Sequence, residues 1–501
     1  MKSNFNSVMK SNGMLSRINS TRTNYVLIGL LLLSGFTHIW NAAGFPDIFF
    51  DEGVYMRRAM HILAGLGPQE STFHDHPLFG PIFLSTILGL IGFPNSLHPT
   101  TTPDSISTLY LIPRVIMGIL AISDTFLIYK IADHRYGSRV ALISSLLFAV
   151  MPITWITRRI LLDSILLPFL LLSILLALKS KNSQHQKITI IFSGICLGLA
   201  IFTKIPVFTM IPLVVGLIYI NAKRPKFIGH GIVPIILIPL LWPIQSEVTG
   251  EFSDWLSGIE FQTHRQGDMG LAYISSMFLQ MDPILFILGI VGIGFCIVKK
   301  DYLISMWFIP FVIFLFVIGY NQYFYWIPVL PVFCIAAAIL IEKSLGLVKK
   351  EKLCKILLPV VVIGIGTFGF VSTALVISTD MTSAEFEATS FVLQNIRDNQ
   401  TTTLASPTYS WILNYVFHKP NVLIDYSLVL FEPVQTSKVQ LIADPHFLID
   451  LDRGPPLPQI YNETKSVATF DGSVKKYNTS FYPYTILNEN FEGSHIDIRE
   501  K

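Results

Sequence analysis

The sequence predicts an all-α polytopic membrane protein of about eleven transmembrane helices, followed by a small extracytoplasmic α/β domain. Three observations predict this. The chain is 51% hydrophobic and only 14% charged, with a mean hydropathy of +0.56; a soluble domain carries about twice that charge. Apolar runs long enough to cross a bilayer recur between residues 24 and 377. From residue 378 onward the composition turns polar. A soluble enzyme and a disordered chain are excluded, and a net charge of +3 is too small to point to nucleic acid.

The runs are 24–40, 113–129, 140–157, 160–178, 188–203, 205–221, 227–245, 273–298, 302–319, 324–342 and 356–377. Segment 24–40 has a basic leader and Asn-Ala-Ala-Gly after it, as a signal peptide would. We read it as a span, because the later spans need a first helix to close the bundle. Segment 79–93 is apolar but short and rich in Gly and Pro, which suits a re-entrant or juxtamembrane helix. Cys196, Cys296, Cys334 and Cys354 lack CxxC spacing and none lies in the polar C-terminal region. They read as small buried side chains, without a disulfide framework or a zinc site.

Basic residues set the orientation. Lys130, Arg135 and Arg139, then Lys179, Lys181 and Lys187, then Lys223, Arg224 and Lys226, then Lys299 and Lys300, and finally Lys343 to Lys355 fall in alternate loops. With the basic N-terminal tail they all lie on one side if eleven spans alternate, and the positive-inside rule makes that side cytoplasmic. The chain is then an integral protein of the cell membrane. Its N-terminus (1–23) is cytoplasmic, and loop 41–112 and region 378–501 lie outside.

The exceptions to that rule carry the functional signal. Arg57, Arg58, Arg114, Arg158, Arg159, Lys204 and Arg265 fall on the outer side or at outer ends of spans. Each alone reads as a snorkelling side chain. They share a face with the adjacent acids Asp51 and Glu52, and that combination suits an anionic lipid headgroup beside a reacting hydroxyl. Three stretches matter. "FFDEGVYMRRA" (49–59) opens a helix expected over 51–66, where the dipole favours first-turn acids and capping alone explains one of them. Arg57 and Arg58 are expected to anchor this helix at headgroups. "TRRILLDSILL" (157–167) spaces Arg159 and Asp163 four apart, as an internal salt bridge would. "GLAIFTKIPVF" (198–208) ends an apolar run on Lys204, a loop lysine or a phosphate-binding point charge. "HDHPLFGP" (74–81) adds Asp75 and His76. A metal there is disfavoured, because three adjacent side chains rarely converge on one ion.

Together these stretches resemble the GT-C class of polytopic glycosyltransferases, which use polyprenyl-phosphate sugars. Within it they are similar to the dolichyl-phosphate-mannose protein mannosyltransferases and the aminoarabinose lipid A transferases. The first stretch is similar to the family's first outer loop. The second is similar to its Ser-Arg, apolar triplet, Leu-Asp-Ser pattern, with Arg158 in the arginine position. The third is similar to the segment where a lysine ends an outward-running helix. Two departures stand out: "DHPL" has one proline where the family often has two, and the WWD motif of oligosaccharyltransferases is absent. The second argues against en bloc oligosaccharide transfer.

The resemblance implies transfer of a monosaccharide from a polyprenyl (dolichyl) phosphate to an acceptor hydroxyl on a protein, lipid or glycan, by direct inverting displacement outside the membrane. Asp51 would take the hydroxyl proton, with Glu52 positioning the acceptor or sharing that work. Arg158 and Lys204, then Arg114 and Arg265, would stabilise the leaving phosphate. Asp163, Asp75 and His76 would orient these groups. No cofactor is required; a divalent metal is compatible with the scheme but has no dedicated cage in the sequence. The alternative is a secondary transporter or flippase for a lipid-linked or anionic substrate. It predicts midplane charges and repeated halves, and the sequence has no repeat.

In the outer region, "TSAEFEATSFVLQNIRDN" reads as a helix with Ser383 near its cap, and "SWILNYVF" as another. "TTTLAS", "NVLIDYS" and "VQLIADPHFLID" read as strands, without a Gly-rich phosphate loop. Sequons stand at Asn399, Asn462 and Asn478.

Overall fold

The computed structural model describes residues 24–70, 73–264, 270–319, 321–346, 351–395, 401–430, 438–445, 448, 456–472 and 495–501. Each apolar run is largely helical, since a bilayer-crossing backbone must satisfy its own polar groups. The helices before the outer region are α1 (Asn24–Ile39), α2 (Phe50–Leu63), α3 (Phe79–Leu90), α4 (Pro103–Tyr136), α5 (Ser138–Val150), α6 (Leu162–Lys179), α7 (Gln186–Thr203), α8 (Ile211–Asn221), α9 (Lys226–Leu237), α10 (Leu241–Val248), α11 (Phe252–His264), α12 (Leu271–Met281), α13 (Pro283–Val298), α14 (Tyr302–Ile318), α15 (Leu330–Gly346) and α16 (Glu351–Ile377).

Among the described residues, five helices are long and apolar enough to cross a membrane, and eight if each bent pair is one span. Several runs that look continuous in sequence are broken. Run 140–157 bends by 68° between α5 and a 3-10 turn at Pro152–Arg158. Run 227–245 bends by 41° between α9 and α10. Run 273–298 breaks at Asp282, whose carboxylate caps α13 by accepting the Leu285 N–H at 2.9 Å. Proline explains these breaks: Pro152, Pro239 and Pro283 each lack an N–H and crowd the preceding turn. Two further 3-10 turns, Ile205–Met210 and Tyr323–Val329, precede α8 and α15.

α15 is central. Its residues Leu330–Ile339 are all buried, and it packs on α5 and α13. Gly292 of α13 allows that approach, since a Cβ there would lie 2.4 Å from the Ala336 carbonyl oxygen. α6 packs between α4 and α7. α4 has 34 residues, which at 1.5 Å per residue reaches roughly 50 Å. It therefore runs from its packing on α6 to the core it shares with α2, α3 and α17.

The C-terminal region adds α17 (Ser383–Asn395), α18 (Pro407–Trp411), α19 (Pro456–Glu463) and a four-stranded sheet in the order β1 (Thr402–Leu404), β2 (Val439–Ala443), β4 (His495–Glu500), β3 (Lys465–Asp471). β1 and β2 are parallel; β4 is antiparallel to both β2 and β3. The strand expected at "NVLIDYS" does not form as such. Val422 makes one bridge to Thr403, and Asp425 then accepts from the Ser427 backbone N–H and hydroxyl at 2.9 and 2.7 Å, turning the chain into Tyr426–Leu430. One apolar core runs from α2, α3 and α4 into α17, α18, β2 and β4. Asn399 and Asn478 lie outside the described residues; Asn462 is exposed on α19.

Candidate active site

The site is built on α2. Its first turn holds Asp51, half-buried, and Glu52, fully buried. Glu52 performs the capping that the dipole argument expects, accepting the Phe49 N–H at 3.0 Å. It also accepts from Arg114 at 3.0 and 2.8 Å, from Arg159 at 3.2 Å and from the Ile160 N–H at 3.0 Å. Burial would raise its carboxyl, but Arg114 and Arg159 overcome this and hold it below the usual glutamate range. Glu52 is thus a structural anion, turned inward rather than toward solvent.

Arg114 completes that role. Its remaining donors go to the carbonyls of Ala42 at 3.2 Å, Pro46 at 2.7 Å and Asp47 at 2.9 Å. The cation expected at the donor phosphate is occupied in ordering loop 42–47. Arg159 pairs with Asp47 at 2.6 Å as well as with Glu52. The expected Arg159–Asp163 salt bridge fails for a conformational reason: Arg159 and Leu161 are both extended, so the four-residue spacing spans a break rather than a helical turn. Arg158 is buried, donates to the Trp40 carbonyl and stacks over Phe45 at 5.2 Å.

Asp163 pairs instead with Lys204, at 2.5 Å, each side chain 3% exposed. The residues come from the N-terminal turn of α6 and the C-cap of α7. Lys204 also lies over the rings of Tyr325 at 4.0 Å and Phe324 at 5.2 Å. These aromatics belong to the 3-10 turn before α15. In sequence they merge into the apolar run 324–342, and the polar interruption Asn321–Gln322 ahead of them is the available signal.

Asp75 pairs with Arg58 at 2.6 Å. Burial would raise the Asp75 carboxyl, but Arg58 beside it lowers it overall. The ring of His76 is 6.3 Å from that of Tyr55. Tyr55, an aromatic that gives no site signal in the sequence, lies within the field of these groups. Burial pushes its phenol well above the ordinary value, and the charges of Asp51, Asp75 and Asp163 add to this while Arg58 opposes them. Charges from α2, from the 74–76 segment and from the first turn of α6 therefore act together on Tyr55. Arg265 lies outside the described residues. Arg57, expected at headgroups, pairs with Glu70 at 2.6 Å, and Arg58 is likewise engaged with Asp75. Among the described residues, no three His, Cys, Asp or Glu side chains gather as a metal site would.

Residues 28–234 match the family model of the dolichyl-phosphate-mannose-protein mannosyltransferases, a stretch that contains all three motifs. Among solved structures, ArnT from Cupriavidus metallidurans bound to undecaprenyl phosphate aligns with a TM-score of 0.59 at 12% identity, over 95% of this chain and 97% of that one. The fold is that of the GT-C glycosyltransferases. The oligosaccharyltransferase from Archaeoglobus fulgidus, in complex with Zn and sulfate, aligns at TM-score 0.56 and 13% identity over 90% of this chain and 72% of that one. The archaeal oligosaccharyltransferase AglB from the same organism, in complex with an inhibitory peptide and a dolichol-phosphate, aligns at TM-score 0.56 and 12% identity over 92% of this chain and 75% of that one. Comparison with curated protein sequences gives no match. The GT-C resemblance drawn from three short motifs is borne out at the level of the fold.

Proposed function

We propose that this protein transfers a single sugar from a polyprenyl phosphate to an acceptor hydroxyl at the outer face of the membrane. The observation that carries the reading is the buried Asp163–Lys204 pair, with the Arg58–Asp75 pair and Asp51 on α2, whose charges act together with that of Asp163 on Tyr55. A carboxylate and a desolvated cation at one site are what inverting displacement from a lipid phosphate requires. The family match over 28–234 supports mannose as the first sugar to test.

Asp51 accepts the acceptor's proton as the hydroxyl oxygen attacks the anomeric carbon. The bond from that carbon to the phosphate oxygen breaks, and the electron pair leaves on the lipid phosphate. Lys204, with Arg158 and Arg265, stabilises that growing charge, which favours the transition state over the ground state. Asp163 orients Lys204. Asp75 and His76 line the approach beside Tyr55. Glu52 and Arg114 hold the loop that presents Asp51. In this reading the N-terminus is cytoplasmic and the C-terminal domain extracytoplasmic, as the basic loops support.

The test is transfer by the purified protein in lipid nanodiscs, given radiolabelled dolichyl-phosphate mannose and host membrane extract, for wild type and Asp51→Asn. Label reaching an acceptor with wild type, and not with a folded Asp51→Asn, supports the class and the base. Equal transfer by both removes Asp51 from the chemistry.

A further inference from the structure

α2 has two working faces. Asp51, Tyr55 and Arg58 are spaced four and three apart and share the face toward the site. Gly53, Arg57 and His61 are spaced by four and share the opposite face, and each of them meets the C-terminal domain. A Cβ on Gly53 would lie 2.3 Å from the Thr408 backbone nitrogen and 2.4 Å from the Pro407 carbonyl carbon, so α2 rests directly on the start of α18. Arg57, 6% exposed, donates to the Ile424 carbonyl at 2.8 Å and to Glu70 at 2.6 Å. Ser410 donates to the same Ile424 carbonyl at 2.5 Å. Glu70 accepts from the Tyr415 hydroxyl at 3.1 Å, and that hydroxyl lies 3.1 Å from Nδ1 of His61. Asp425 stands 3.9 Å from Arg57. A closed polar circuit thus ties the back of α2 to α18, to the segment following it and to residues 424–425.

We infer that Arg57 is a positioning residue: through its circuit with Glu70, Tyr415 and Ile424, the C-terminal domain fixes the rotation of α2 and so the aim of the Asp51 carboxylate. The inference rests on the reading of Asp51 as the base. It gives the C-terminal domain a part in the reaction without contact with the reacting atoms. A rigid helix transmits rotation: a turn of α2 about its axis that frees Arg57 from Ile424 carries Asp51 sideways by a comparable arc. Misplacement of about 1 Å at a reacting group costs up to a hundredfold in rate.

The experiment compares full-length wild type, Arg57→Met, Arg57→Lys, Tyr415→Phe and Asp51→Asn in nanodiscs, with dolichyl-phosphate mannose as the donor probe. Two quantities are read: the kcat and KM of transfer with the acid limb of its pH profile, and hydrogen exchange of the amides of 50–58. For Arg57→Met, kcat should fall on the order of tenfold to a hundredfold, with donor KM little changed and the acid limb displaced. Exchange at 50–58 should quicken while that of α6 and α7 stays as in wild type. Tyr415→Phe, which deletes one hydroxyl and is the gentler variant, should show the same changes to a smaller degree. Arg57→Lys, which keeps one donor for Ile424, should recover part of the rate. Wild-type kcat, acid limb and exchange in folded Arg57→Met and Tyr415→Phe, with Asp51→Asn inactive, would overturn this inference and leave the base reading standing. Full activity in Asp51→Asn would overturn both. The exchange measurement needs no substrate, so unchanged protection of 50–58 in Arg57→Met overturns the positioning role by itself.

Discussion

Glu52 and Arg114 meet through two hydrogen bonds, at 3.0 and 2.8 Å, and neither side chain reaches solvent. The two residues are 62 positions apart in the chain, so the pair staples loop 42–52 to α4. Removing one partner of a buried pair costs about 3–5 kcal/mol, because the other is left as an uncompensated charge. Glu52→Gln should therefore destabilise the fold by that order, read as a lower unfolding midpoint in detergent, and should lose activity together with structure. An intact fold with selective loss of transfer would instead return Glu52 to the chemistry.

The same carboxylate sets an acid limit. Its folded pKa lies below the unfolded value, so its contribution is complete above the ordinary glutamate pKa of about 4.3. As pH falls past that value the unfolded chain takes up the proton first, and the contribution is lost by the time pH passes the lowered folded value. Asp75, also lowered, acts in the same direction. Unfolding midpoints measured from pH 6 downward should fall in wild type, and should fall less steeply in Asp75→Asn.

Lys204 and Asp163 separate stability from activity. Lys204→Met leaves Asp163 buried without its cation and should cost about 3–5 kcal/mol. The double variant Lys204→Met with Asp163→Leu should recover most of that stability, because apolar replacement of both partners is often neutral. Transfer should remain down by about 10²–10³ in kcat. Recovery of transfer in the double variant would remove Lys204 from phosphate stabilisation.

Gly53 reverses an ordinary rule. Replacing a mid-helix glycine with alanine usually stabilises by roughly 0.5–1 kcal/mol. Here the new methyl would meet the Pro407–Thr408 backbone at 2.3 to 2.6 Å. Gly53→Ala should therefore lower the unfolding midpoint and loosen the contact between α2 and α18, seen as faster exchange at 407–411.

Tyr110 makes a second link to that region. Its hydroxyl donates to the Thr408 carbonyl at 2.7 Å and accepts from Nε1 of Trp411 at 2.9 Å. Tyr110→Phe strands both groups and should cost about 1–3 kcal/mol by denaturant unfolding.

What the sequence revealed follows from which interactions are local. Apolar runs reported the helices, because helical backbone bonds close within the run. The breaks at Pro152 and Asp282 were harder to see, since hydropathy averages over a single polar or imino residue. Asp51, Asp163 and Lys204 were legible as charges in apolar surroundings, but their partners were not. Spacing matches Arg159 to Asp163, and the extended backbone between them invalidates that rule. Arg114 looked like a phosphate ligand until loop 42–47 came back to claim its donors. Tyr55 and Tyr325 stayed hidden because an aromatic in a stripe gives the same signal whether it faces a core or a site.

The aromatic turn beside Lys204 has one more consequence. Its ammonium is bounded by the Asp163 carboxylate on one side and by the rings of Tyr325 and Phe324 on another. The hydration shell that surrounds a surface lysine has already been shed when the chain folds. An anion arriving there has less solvent to reorganise than at an exposed lysine, and its attraction is weakened less by intervening water. The work of drying this cation belongs to folding and is not repeated when an anion binds.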